Sequence, residues 1–475
     1  MNRSGYIQLL SLLLIIVSCS GEPGKQQEID TPNILFIAVD DLRPELGCYG
    51  MDHIQSPNID RLAAEGTRFD RSYCNIPVCG ASRASLMTGL RPARNRFLTY
   101  YTRADEDAPG ITTLPQHFRN HGYHTISNGK IFHHDNDAEQ SWDEIWHAES
   151  GSKSWRDYAV QENILADTSD RFRGPPFERA DLTDNTYKDG KLAEKVISDL
   201  QKLKKSEKPF FLTAGFLKPH LPFNAPEKYW ALYDGKVRLP DNNYPPENAP
   251  PQSLHTFGEL RAYSGIPKEG PVSDEMALEL IHGYYACVSY TDASIGKILD
   301  ELEQLDLEES TIVILWGDHG WNLREHGLWC KHCNYETSLH TPLILKVPGS
   351  KQVKSTTEIV EYVDIYPTLC ELAGLELPDH LQGESFKELL FKKGATSDGI
   401  AVCQWYKGIT TIRDNYFYTE WVDDGDSAFA RMLYDHAVDP DENINISEQQ
   451  QNAGIIQQMS QEMRRSRAEN YFRVP

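Results

Sequence analysis

Positive charge is scarce in this chain: 47 lysines and arginines face 70 aspartates and glutamates, for a net charge of −23 over 475 residues. That balance argues against a nucleic-acid binder and against a polybasic membrane contact. Cysteine is sparse too. The nine cysteines are scattered and odd in number, which excludes a dense disulfide framework. Cys330 and Cys333 make a lone Cys-x-x-Cys without the second pair of a zinc site, so a local disulfide and plain burial both stay open. No internal repeat is apparent. The apolar stretch from Ile7 to Val17 is too short to span a bilayer comfortably.

That stretch follows Arg3 and precedes Ser18-Cys19-Ser20-Gly21, the layout of an export signal over residues 1–19. Cysteine directly after the apolar core resembles a bacterial lipobox, which implies lipidation at Cys19 and a periplasmic or envelope location. Simple secretion with Cys19 discarded is the alternative. Residues 20–31 are polar and contain Gly and Pro, as a tether does.

Three apolar runs of strand length have no polar face: Asn33–Val39, Phe210–Phe216 and Thr311–Trp316. Such runs read as central parallel strands covered on both sides. Helical patterns at Ile59–Glu65, Leu192–Leu203 and Met276–Leu305 alternate with them. The expected fold is α/β, with a large, mostly parallel mixed sheet sandwiched by helices. It should occupy residues 32–377, followed by a smaller α+β subdomain over 378–475. Segments 141–181 and 235–270 are rich in Pro, Gly and aromatics and read as ordered lids or substrate walls.

In such sheets ligands bind beyond the carboxyl ends of the strands. Asp40-Asp41 and Asp318-His319 stand there. Adjacent carboxylates are costly to place together without a cation, and oxygen-rich sites suit Ca2+ or Mg2+. One aspartate after a strand is more often a cap or a turn; two strand ends of the same design point to a metal. Cys79 opens a helical stretch with Arg83 four residues on. A helix start lowers a thiol's pKa and holds tetrahedral anions on its N–H groups. A random Cys-x-x-x-Arg would be an inert buried thiol. Lys130 and His133, three apart, offer a point charge and a proton carrier, although His134 beside them fits a solvated loop. Arg91, Arg94, Arg96 and Arg103 lie near the cysteine in sequence, so positive charge is expected to gather at the site.

The run Cys79-Gly80-Ala81-Ser82-Arg83, continued to Thr88-Gly89-Leu90-Arg91-Pro92, resembles the signature of type I sulfatases, with Leu90 where that family often has Arg or Lys. Gly129-Lys130-Ile131-Phe132-His133, Lys218-Pro219-His220, Gly317-Asp318-His319-Gly320-Trp321 and the segment around Lys331 follow in family order, from about Asn33 to Gly374. The likeness is to the iduronate-2-sulfatase-like branch. The resemblance implies an alkaline-phosphatase-like fold and hydrolysis of sulfate esters on a sulfated glycan, uronate-bearing or algal such as ulvan. It implies a formylglycine (3-oxoalanine) made from Cys79 by a maturating enzyme. One Ca2+ would be held by Asp40, Asp41, Asp318 and His319 and contact position 79, with His319 a weak ligand for a hard cation. Lys130 and Lys331 would bind sulfate, Arg83 steady the nucleophile, His133 act as base and His220 protonate the leaving oxygen. A phosphatase or phosphodiesterase of the same superfold and a non-catalytic glycan-binding lipoprotein are the alternatives.

Overall fold

The computed structural model describes residues 31–149 and 154–472. The export signal, Cys19 and nearly all of the linker lie outside the described residues. The main sheet contains β1 (Asn33–Val39), β2 (Thr67–Phe69), β3 (His124–Asn128), β4 (Glu144–Trp146), β5 (Phe210–Phe216), β6 (Thr311–Gly317), β7 (Leu343–Lys346) and β8 (Ser355–Thr356). Their order is β8-β2-β7-β6-β1-β5-β3-β4. Only β7 runs against the others, so the sheet is mixed and mostly parallel, as expected. The three apolar runs are its centre: β1 pairs in parallel with β5 on one side and β6 on the other.

Helices α1 (Pro57–Glu65), α2 (Cys79–Thr88), α3 (Lys188–Leu203), α4 (Gly258–Arg261) and α5 (Asp274–Gln304) connect and cover the strands. The period of two along β1 divides the core. Leu35, Ile37 and Val39 join α1, α3 and α5 in one apolar layer. Ile34, Phe36 and Ala38 join α2 and Trp316 in the other. Ser273 caps α5, its hydroxyl accepting from the Met276 N–H at 3.3 Å.

Beyond the main sheet, β9 (Ile400–Trp405), β10 (Gly408–Arg413), β11 (Tyr416–Val422) and β12 (Ala428–Asp435) form an antiparallel meander beside α6 (Ala453–Phe472). Its inner residues Ala401, Cys403, Ile412, Phe417 and Trp421 belong to the same apolar layer as β1 and α2. Cys330 and Cys333 are buried free thiols, and the Cys333 sulfur meets the Ser338 hydroxyl at 3.0 Å. No described helix is long and apolar enough to cross a membrane.

Candidate active site

The site lies where β1, β5 and β6 run out together. Register continues past the strand ends: the Asp40 N–H donates to Phe216 O and the Asp318 N–H to Val39 O, both at 3.2 Å. Asp41 turns back with φ +59°, a left-handed conformation that a non-glycine residue adopts only under strain. Its N–H donates to Asp318 Oδ1 at 2.9 Å, which stitches the two strand ends. Asp40, Asp41, Asp318 and His319 are all fully buried.

Cys79 is the first residue of α2 and is 2% exposed. Its Sγ lies 3.8 Å from Asp41 Oδ1 and 3.2 Å from His319 Nε2. The next residue has to be small, because a Cβ on Gly80 would meet Tyr100 O at 2.7 Å and its Cα and C at 3.0 Å. One turn on, Arg83 is wholly buried. Its Nε donates to Asp318 Oδ2 at 2.8 Å, Nη2 to Asp40 Oδ1 at 3.4 Å, and Nη1 to the carbonyls of Lys130 and Ile131. Arg83 thus fixes two acids and the following loop at once.

Lys130 enters from the loop after β3, where Gly129 and Gly215 let two backbones touch; a Cβ on Gly215 would lie 2.3 Å from Lys130 O. Its Nζ pairs with Asp40. Lys331 pairs with Asp41, at 3.1 and 3.2 Å to the two oxygens, and its Nζ lies over the Trp321 ring. It is flanked by Cys330 and His332, both with positive φ. His220 reaches the cluster from the loop after β5, its Nε2 3.8 Å from Asp41 Oδ2. The neighbouring Lys218 is structural: it is buried and donates to the carbonyls of His220 (2.9 Å) and Pro222 (2.5 Å).

Burial disfavours charge on both adjacent acids, and their neighbours decide. At Asp40, Lys130, His220 and Arg83 outweigh burial and hold the carboxyl well below its usual range. At Asp41, burial and the charge of Asp40 prevail and push it up. His220 is pulled down by burial, but Asp41 and Asp40 lift it to about 9. Burial and Lys130 press His133 down to about 2, which leaves it neutral.

Two sequence expectations are corrected. The Cys79 thiol is not acidified by the helix start; burial and Asp40 push it up to about 11. A helix terminus is a weak lever beside desolvation among carboxylates. The nearby arginines do not gather at the site either. Arg91 pairs with Glu361, Arg94 with Asp426 and Arg103 with Glu106, and Arg96 donates to Arg91 O. The local positive charge comes from Arg83, Lys130, Lys331 and His220.

Asp40, Asp41, Cys79, His220, Asp318 and His319 place ligand atoms within 4.8 Å of one another in two overlapping groups that share Asp40 and Cys79. The carboxylate oxygens of Asp40, Asp41 and Asp318 suit a hard divalent cation, for which the histidine nitrogens and the Cys79 sulfur are poorer partners. His319 Nδ1 donates to Gly320 O at 2.9 Å, which turns Nε2 toward Asp41 (3.4 Å) and Asp318 (3.7 Å).

Comparison with known proteins then decides the family. Residues 32–375 match the family model described as sulfatase. The chain belongs to the sulfatase family. Residues 324–469 match the C-terminal part of N-sulphoglucosamine sulphohydrolase. The chain is 32% identical to human iduronate 2-sulfatase over 430 residues, 81% of this chain and 76% of that protein. It is 31% identical to a sulfatase of Formosa agariphila over 470 residues, 93% and 88% of the two chains. The solved structure of BT4656 with its substrate D-glucosamine-2-N,6-O-disulfate shares the fold at a TM-score of 0.74 and 22% identity, over 93% of this chain and 98% of that one. This sulfatase is therefore a sulfuric ester hydrolase of the type I group, with the iduronate-2-sulfatase likeness that the motifs implied.

One charged neighbour of the centre carries no motif. Glu259, on α4, accepts from Lys331 Nζ at 3.1 Å and lies 3.2 Å from His220 Nε2. Only the Pro- and Gly-rich character of segment 235–270 hinted that a substrate wall lay there. Trp155, edge-on to His220 at 5.2 Å, had the same hint from segment 141–181, and Tyr100, 6.3 Å from His133, had none.

Proposed function

We propose that this sulfatase releases sulfate from a sulfated polysaccharide or oligosaccharide, a uronate-bearing glycosaminoglycan or an algal glycan such as ulvan. The observation that carries the reading is the position of Cys79, buried against Asp41 and His319 and within electrostatic reach of Lys130 and Lys331, which pair with Asp40 and Asp41. The relatives whose names state a substrate, iduronate 2-sulfate and a disulfated glucosamine, support the sugar class.

Asp40, Asp41, Asp318 and His319 would hold one Ca2+, which supplies Lewis-acid polarisation of a sulfate oxygen and of the group at position 79. Position 79, converted to formylglycine, supplies a geminal-diol nucleophile that a thiol cannot replace. The remaining work falls to the chain's own side chains. Lys130 and Lys331 are point donors for the two ends of a bound sulfate ester. Arg83 does not reach outward; it holds Asp40 and Asp318 in place. His220 donates from Nδ1 to Leu221 O at 2.6 Å, so its second proton sits on Nε2, ready for the departing sugar oxygen. His133 Nδ1 is buried without a hydrogen-bond partner, and the ring is held neutral by burial and Lys130; the base role that the family resemblance implies would require a bound sulfate to offset the Lys130 charge.

A two-metal phosphatase is not favoured, because the candidate ligand groups overlap in one centre. The filled set of catalytic positions likewise disfavours a mere glycan-binding lipoprotein. We further infer export to the cell envelope with lipidation at Cys19, a boundary near residue 377 between catalytic and C-terminal parts, and dependence on a maturating enzyme. The test is sulfate release from a panel of defined sulfated glycans by protein co-expressed with such an enzyme. Release from at least one uronate-containing or algal glycan is expected. Release from phosphate esters alone would overturn the reading.

A further inference from the structure

The loop between residues 154 and 174 is braced from inside. Buried Arg156 donates to Asp167 at 2.7 Å and Asp170 at 2.9 Å. The Gly174 N–H donates to Asp167 Oδ1 at 3.3 Å, and the Ser264 N–H returns to Gly174 O at 3.0 Å. Arg156 thereby neutralises Asp167 and Asp170, the acids that precede Arg173 in this loop, while Glu178 beyond it accepts from Asn163 and Tyr187. Arg173 itself meets no carboxylate within 4.0 Å among the described residues. Its guanidinium lies over Tyr263 at 5.1 Å and Trp155 at 5.9 Å, and Nε donates to Asp170 O at 3.3 Å. In a chain of net charge −23, most arginines near an acid are paired, so a cation left open at the mouth of a catalytic centre has a use.

Its position suggests which. Trp155 is 40% exposed and touches His220. Across the opening, Tyr100 is 47% exposed, its backbone packed on Gly80 beside Cys79 and its hydroxyl within electrostatic reach of Arg173. A sugar whose ester oxygen meets His220 would lie between these two aromatic walls. Aromatic faces suit the apolar side of a sugar ring, and a guanidinium fork suits a carboxylate or sulfate. A tightly braced loop loses little entropy on binding.

We propose that Arg173, flanked by Trp155 and Tyr100, is the subsite for a second anionic substituent of the substrate glycan, a uronate carboxylate or a further sulfate. The proposal rests on the reading of the Cys79 cluster as the sulfate-ester site. It makes Arg173 a specificity-determining residue.

Steady-state kinetics of matured wild type, Arg173→Gln and Arg173→Lys test it on three sulfate-ester substrates. These are a 2-O-sulfated uronate disaccharide, its carboxyl-reduced counterpart, and that counterpart with a second sulfate on the neighbouring glucosamine. Losing one charge-assisted fork is expected to raise KM on the charged substrates by about 10- to 100-fold, with kcat little changed. Arg173→Lys should lose less, and the reduced monosulfated compound should not discriminate among the three proteins. A loss confined to the carboxylate substrate names a uronate; a loss confined to the disulfated one names a second sulfate. Equal losses on all three, or no loss on either charged substrate, would overturn the proposal while leaving the sulfatase reading intact. A wild type that releases sulfate from none of these three and from no glycan of the wider panel would instead sink the reading beneath it.

Discussion

Asp40 and Asp41 are neighbours in sequence with opposite tendencies. Each loses solvation, yet Asp40 keeps its charge through Lys130, His220 and Arg83, while Asp41 resists ionisation beside it. Such a split marks a site built around cations, because neither acid would be tolerated at a strand end alone. Glu259 extends the same logic outward. Burial disfavours its charge, but Lys331 and His220 outweigh that and keep it ionised. It contacts both Lys331 and His220, the groups that the proposed mechanism turns toward the leaving oxygen. Glu259→Gln should fold normally and lose about 10- to 100-fold in kcat/KM, the weight of one charge-assisted hydrogen bond. Kinetics on a matured enzyme check this; an unchanged kcat/KM would show that Lys331 and His220 hold their places unaided.

At the scale of elements, two parallel strands deliver acids and a third delivers His220 to one point, and α2 brings Cys79 to them. The closeness of α2 to the Tyr100 segment depends on a missing side chain. Gly80→Ala would drive a Cβ into Tyr100 backbone at 2.7 Å, and backbone cannot rotate away. The expected cost is about 1–3 kcal/mol of stability by denaturant titration. Activity should fall further than stability, because the displaced helix start carries Cys79. A variant as active and as stable as wild type would contradict the packing. The strands and helices are legible in the amino-acid sequence, because β1, β5 and β6 are uniformly apolar and their ends carry chemistry. Asp40, Asp318 and Lys331 are legible through motif order. Glu259, Trp155 and Arg173 are not: they sit in aperiodic segments whose partners come from distant parts of the chain, and nothing in local spacing announces them. The misjudged arginines fail for the complementary reason. Nearness in sequence to Cys79 does not place Arg91 or Arg94 beside it, since the chain turns away after Gly89 toward Glu361 and the C-terminal sheet.

The whole molecule carries a large excess of negative charge and several buried acids outside the site. Burial raises Asp364 to about 8, with Glu361 adding to the effect, and burial raises Glu336 to about 7. These folded values exceed the unfolded ones, so the native state binds more protons. Stability is therefore lost as pH rises from the ordinary carboxylate range up to these values. Above about pH 7.5 the buried histidines with lowered values are neutral in both states and do not oppose the trend. The melting temperature should fall between about pH 7.5 and 9, and Asp364→Asn should flatten the slope. A melting temperature that climbs over that range would contradict the burial of these acids.

The central claim is that Cys79 works as an aldehyde inside the acidic cluster. Its most direct test is the mass of the peptide containing Cys79, compared with sulfate release from the same preparation as maturation is varied. Activity should rise in proportion to the fraction of aldehyde at position 79 and vanish in Cys79→Ala. A preparation fully active with an intact thiol would contradict the account.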